Sequence, residues 1–163
     1  SLCVSHSLWR IASDTRDYTA DDLSGKGAEI TGGRWNDRGT PVVYTSCNRA
    51  LAALETIVHL NAGGLPLNRY LIEIIIPDDV WAQAQACDHT IAPVGWDSEP
   101  ASRTSSDFGT NWARSNDTLL LRVPSVIVPE EQNVLINPRH RDLTKISARK
   151  IRKWIYDPRM LKA

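Results

Sequence analysis

The sequence has no excess of charge of either sign. Its 19 Lys and Arg residues are matched by 19 Asp and Glu, so no global field recommends DNA, RNA or an anionic membrane as a partner. No apolar run approaches the ~20 residues of a membrane helix, and no stretch reads as a secretory signal. Cysteine is scarce and odd in number: Cys3, Cys47 and Cys87, with no CxxC pair. That argues against a disulfide framework and a structural zinc site, and makes a reducing cytosol the simplest setting. Phenylalanine occurs once beside six tryptophans, a balance assigned only to core and pocket packing. There is no Walker loop, no GxGxxG and no GxSxG, so the phosphate-cradling and hydrolase-elbow chemistries lose their signatures.

What is present suffices for one domain with a real core, placed over 1–163: 163 residues, 42% of them apolar. The β-branched stretches "LWRIAS" (8–13), "PVVYTS" (41–46), "RYLIEIIIP" (69–77), "TLLLRVPS" (118–125), "VIVP" (126–129) and "NVLINP" (133–138) predict strands. "NRALAALETIVHL" (48–60) predicts a helix with Asn48 as N-cap and the glycines at 63–64 as its stop. A short helix or turn is expected over 78–86, and a second helix over 105–116 capped by Ser105 or Ser106. Residues 14–33 and 88–104 read as loop, with a helical turn near Ala20–Leu23. The segment 145–158 fits strand by its β-branched residues and helix by its spacing. The irregular order of elements predicts an α+β fold, with mostly antiparallel sheet and flanking helices.

The stretch "GGRWNDRGTPVVYTS" (32–46) asks for an explanation beyond a core strand. Gly32 and Gly33 remove side chains just before Arg34, whose guanidinium can fork onto a phosphate or carboxylate. Tyr44 is either core with a satisfied hydroxyl or a stacking face for a planar ligand. On the 48–60 helix, Leu51, Leu54, Ile57 and Val58 form the expected apolar stripe, and Glu55 sits at its margin, about 40° from Leu51. A carboxylate there either snorkels to water or faces a cleft. His59, four residues on, offers a second ligand atom, but spacing suggests no third, so no metal site is expected. Ser125 lies between Pro124 and a β-branched run, which is read as fixing the direction of its hydroxyl. The basic run Lys145, Arg149, Lys150, Arg152, Lys153 reads as a solvated face, and His140 as a surface or hydrogen-bonding histidine.

Taken together, Arg34, Tyr44, Glu55 and Ser125 resemble the RES-domain family of bacterial toxins encoded beside Xre-type antitoxins. The resemblance is carried by three blocks in order: "GGRWNDRGTPVVYTS", "ALAALETIVHL" and "PSVIVPEEQNVLINPRH". It implies a fold similar to ADP-ribosyltransferase toxins, NAD as substrate and no metal. By this resemblance Glu55, Arg34 and Tyr44 are catalytic, and Arg34, Tyr44, Ser125, Asn133 and Arg10 contact the dinucleotide. Glu55 would stabilise the ribosyl cation, Tyr44 would stack on nicotinamide or ribose, Arg34 would orient the diphosphate, and Ser125 would bond the ribose or amide. The ADP-ribose would pass to a protein acceptor, an enzyme of nucleotide synthesis, or to water or phosphate. A cognate antitoxin would occlude the NAD cleft in the cytoplasm, with no direct nucleic acid or membrane partner. Two other readings are kept: a ribonuclease-type toxin using the basic run and His140, and a binding module in which Arg34 and Glu55 form an internal ion pair.

Overall fold

A computed structural model of the chain describes residues 5–59 and 67–161. The expected helix stop at Gly63–Gly64 and Cys3 lie outside those residues. Among the described residues seven strands form one sheet: β1 (Ser5–Ser13), β2 (Val43–Ser46), β3 (Arg69–Pro77), β4 (Gln85–Ala86), β5 (Leu120–Pro124), β6 (Gln132–Ile136) and β7 (Ser147–Lys153). Their order is β4-β5-β6-β2-β1-β3-β7, and only the β4–β5 pair is parallel. Four α-helices among the described residues flank it: α1 (Lys26–Thr31), α2 (Arg49–Ile57), α3 (Asp78–Ala82) and α4 (Arg103–Ser115). The α+β expectation holds, with one mixed sheet.

Period-two alternation splits the apolar residues between the two faces of the sheet. Leu8, Val43, Ile72, Ile74, Ile76, Leu120, Val134 and Ile136 fall in one core with Val80 of α3. Residues of opposite parity divide into two further clusters. Trp9, Ile11 and Leu71 pack with Ala52 and Ala53 of α2, while Leu121, Val123 and Leu135 pack with Trp112 and Ala113 of α4. Trp35 and Trp96 join the α4 cluster and stack with centroids 6.4 Å apart. Tryptophan therefore fills volume that phenylalanine supplies in many cores. Gly109 permits this packing: a Cβ there would lie 1.8 Å from the Trp35 carbonyl oxygen.

Several boundaries differ from expectation. A turn does form at Ala20–Asp21, closed by the Asp22 amide on the Thr19 carbonyl, and the stretch read as loop also contains α1 at Lys26–Thr31. Residues 126–129 are not a strand, because the Ser125 hydroxyl accepts the amides of Ile127 (3.1 Å) and Val128 (3.2 Å) and turns the chain. The expected helix over 78–86 stops at Ala82, and Gln85–Ala86 instead pair with β5. Helix α4 begins at Arg103 after Ser102, so Ser105 is a buried helical residue rather than a cap. The ambiguous 145–158 segment contains β7, an exposed edge strand. Asn48 does cap α2, its side-chain oxygen accepting the Leu51 amide at 2.8 Å.

Candidate active site

Strands β1 and β2 meet at one register pair, Trp9 opposite Ser46. Where they part, a cleft of about 520 Å3 opens, lined by Trp9–Ala12 of β1 and Tyr44–Ser46 of β2. That volume is in the range that encloses a small-molecule ligand. One further wall is the 18–34 segment, including Tyr18, Asp22, Lys26 and Arg34, and another is α2. The polar stretch 14–28 thus gains a position that its sequence did not suggest.

Helix α2 presents Ala52, Glu55 and Thr56 to the cleft, the i, i+3, i+4 spacing of one helical face, and the turn that follows it adds His59. The expected stripe is corrected here. Leu51 is buried and Ile57 packs on the β1 cluster as expected, whereas Leu54 and Val58 are exposed and Ala52 and Ala53 are buried in their stead. Small alanines let the helix lie close to β1, and this turns Glu55 toward the cleft rather than toward bulk water. Its Oε1 accepts the Ser125 hydroxyl at 2.7 Å and the Asn133 amide at 2.8 Å. Asn133 is oriented in turn by the Ser46 hydroxyl, which donates to its Oδ1 at 2.7 Å. Three strands or strand ends thereby fix one oxygen of the carboxylate. Among the described residues no donor is recorded on Oε2.

Ser125 is fully buried and is not among the residues that line the cleft. Its hydroxyl hydrogen is spent on Glu55. Asn133 does line the cleft. Tyr44 lines it too, but its phenol is engaged at both ends: it donates to Asn36 Oδ1 at 2.6 Å and accepts the Trp35 amide at 3.0 Å. Burial pushes its titration upward, so the hydroxyl stays protonated as a donor. A Cβ on Gly33 would sit 2.7 Å from that hydroxyl. The second glycine of the pair therefore makes room for Tyr44, a reason the sequence did not give.

Arg34 borders the cleft, with its guanidinium held by the loop that follows Gly95. One terminal nitrogen donates to the carbonyls of Trp96 (2.9 Å) and Ser98 (2.8 Å), and the other to the Glu99 carboxylate at 2.8 Å. The ion pair between Arg34 and Glu55 that a binding module would use is absent: each has other partners. Arg10 lines the cleft on β1, and its Nε is buried with no partner among the described residues. Burial lowers its proton affinity, and Asp22 and Tyr18 offset this. An arginine left short of acceptors in a cleft wall suits an anionic ligand.

His59 reaches the cleft rim, and among the described residues no three His, Cys, Asp or Glu side chains group as a metal site. His140 is buried and caps a short 3-10 helix (Arg141–Lys145), its Nδ1 accepting the Asp142 amide at 3.0 Å. In the basic run, Arg149 pairs with Glu73 and Lys150 with Asp14. No described helix is long and apolar enough to cross a membrane.

Comparison with known proteins shows the family. The RES domain family model matches residues 7–158. The chain belongs to the RES domain family. Its members include a protein of Sphingobium sp. (strain YBL2) named Prs ADP-ribosylating toxin, 64% identical over 159 residues, covering 98% of this chain and 99% of that protein. A protein of Yersinia enterocolitica named Toxin Res is 39% identical over 94% of this chain and 98% of its own length. Another Toxin Res, from Photorhabdus laumondii, is 35% identical over 90% of this chain and 92% of its own length. In this RES chain the arginine, glutamate and serine of the resemblance have separate places: Glu55 and Ser125 are in contact, and Arg34 is bound elsewhere on the rim. Asn36, Ser46 and Glu99 were missed by sequence reasoning. Asn36 and Ser46 lie inside the quoted 32–46 block, but their partners are distant side chains that a linear reading cannot assign. Glu99 carried no signal at all.

Proposed function

We propose that this chain is an ADP-ribosyltransferase toxin that cleaves the ribose–nicotinamide bond of NAD. The observation that carries the reading is the Glu55 carboxylate, fixed by Ser125 and Asn133 in the wall of the cleft. In the reaction the C1′–N bond breaks heterolytically and nicotinamide leaves with the electron pair. The ribose ring is left with positive charge, as in glycoside cleavage. A preorganised carboxylate stabilises that charge without having to reorient. An acceptor nucleophile then bonds to C1′ and loses its proton.

In this reading Glu55 Oε2 meets the nicotinamide ribose, while Ser125 acts through Glu55 rather than on NAD. Asn133 shares that duty from the cleft wall. Arg10 and Arg34 meet the diphosphate, and Tyr44 shapes the floor beside them. No residue is needed to hold a metal. In this reading the acceptor is a protein, in line with the name of the Sphingobium relative, Prs ADP-ribosylating toxin. An antitoxin partner would silence the enzyme most simply by covering the cleft. The alternative ribonuclease reading loses support because His140 is a buried cap and three of the basic residues, Lys145, Arg149 and Lys150, are paired with carboxylates.

The test is to incubate the purified protein with NAD labelled in the adenylate moiety, with and without a bacterial lysate, and follow nicotinamide. The expected result is nicotinamide release together with label on a lysate protein. Release without protein labelling would leave water or phosphate as the acceptor. No release under either condition would reject the proposal.

A further inference from the structure

We infer that Glu99, with the carbonyls of Trp96 and Ser98, forms a cradle that sets the plane of the Arg34 guanidinium. Glu99 is thus a positioning residue for NAD binding. The inference rests on the reading that Arg34 meets the NAD diphosphate. A guanidinium is a planar fork, so acceptors at fixed places define its orientation as well as its position. Here one terminal nitrogen reaches two carbonyls, and Glu99 takes the other at 2.8 Å. These bonds use three of five N–H donors. The remaining two have no partner among the described residues, and Arg34 lines the cleft.

The cradle is itself anchored. Trp96 is buried and stacks on Trp35, the residue next to Arg34 in the chain. The loop turns through hydrogen bonds from the Trp96 amide to the Pro93 carbonyl and from the Ser98 amide to the Gly95 carbonyl. The Ser102 hydroxyl then ties the Gly95 carbonyl to the start of α4 at 2.9 Å. The backbone acceptors are therefore fixed by packing, and the carboxylate supplies the third point. Arg34 is 17% exposed and Glu99 is 79% exposed. That contrast decides the expected size: an ion pair so open to water orients its partner and contributes little to folding.

The experiment measures KM and kcat for nicotinamide release with Glu99→Ala, Glu99→Gln, Arg34→Ala and the double variant, beside melting curves. Glu99→Ala should raise KM about three- to fivefold, the scale of an exposed ion pair, with a far smaller change in kcat and an unshifted melting curve. Glu99→Gln, which keeps an acceptor oxygen, should recover part of that loss. In the Arg34→Ala background, Glu99→Ala should add nothing, because the group it orients is gone. An unchanged or lowered KM for Glu99→Ala, or an equal rise in the Arg34→Ala background, would overturn the inference. If Arg34→Ala raises KM and Glu99→Ala does not, the cradle fails and the diphosphate reading stands. If Arg34→Ala itself leaves KM unchanged, the diphosphate reading and the cradle fall together.

Discussion

Glu55 and Arg34 border one cleft but are held by opposite kinds of structure. The carboxylate is fixed by side chains rooted in the sheet, with fully buried Ser125 behind it. The guanidinium is fixed by backbone carbonyls of a loop and by one exposed carboxylate. The difference follows what each must do. A group that stabilises charge during bond cleavage gains from rigidity, since any reorientation is added to the barrier. A group that grips a flexible diphosphate needs orientation but can tolerate looser support. Damage behind Glu55 should therefore appear in turnover, and damage behind Arg34 in substrate affinity.

The largest effect is expected where the loop wall meets the core. Gly109→Ala puts a Cβ 1.8 Å from the Trp35 carbonyl oxygen, with backbone rather than a movable side chain in the way. Either α4 or the 33–36 segment must shift, at a cost of about 3 kcal/mol or more. A melting curve should fall by many degrees, and any folded remainder should have a raised KM for NAD. A variant that melts like the parent would show that α4 does not fix this wall.

Ser125→Ala comes next. It removes one donor from Glu55 and the acceptor of two backbone amides. A hydrogen bond to a charged group is worth about 1.5–3 kcal/mol, so kcat should fall roughly tenfold or more, with some loss of stability. A rise in KM alone would place Ser125 on the substrate and break the contrast between the two walls. Arg34→Lys should have a smaller effect, about a tenfold rise in KM with kcat little changed. An ammonium cannot serve two carbonyls, a carboxylate and a diphosphate in one plane. Restored affinity with Lys would mean that Arg34 supplies only positive potential.

The sequence was most legible where a signal is local. The run "RYLIEIIIP" matched β3 over Arg69–Pro77, and Asn48 capped α2 as its side chain allows. Legibility failed where a distant partner decides the outcome. The "VIVP" run has a strand's composition, yet Ser125 captures its amides and makes a turn. Half of the α2 stripe was misplaced: Leu51 and Ile57 pack inward as expected, but alanines at 52 and 53 take the place against β1, and Leu54 and Val58 stay exposed. Among the site residues, pattern alone left Glu55 between a snorkelling and a cleft-facing role, and the geometry places it in the cleft wall. The bonds of Ser125 to Glu55 and of Arg34 to Glu99 span 70 and 65 positions of sequence. No periodicity carries such pairings, and the loop at 88–102 gave no pattern from which Glu99 could be chosen.

The most direct measurement is nicotinamide release by Glu55→Gln beside the unreplaced protein, with NAD affinity and melting recorded on the same samples. Glutamine keeps the size of the side chain and can still accept from Ser125 and Asn133, but it carries no negative charge. If the Glu55 charge faces the forming ribosyl cation, kcat falls by about 100-fold or more, the scale of losing one electrostatic stabiliser, with NAD affinity and melting close to the parent. A variant that folds normally and still releases nicotinamide at near the parent rate would contradict that expectation, and would remove Glu55 from the chemistry.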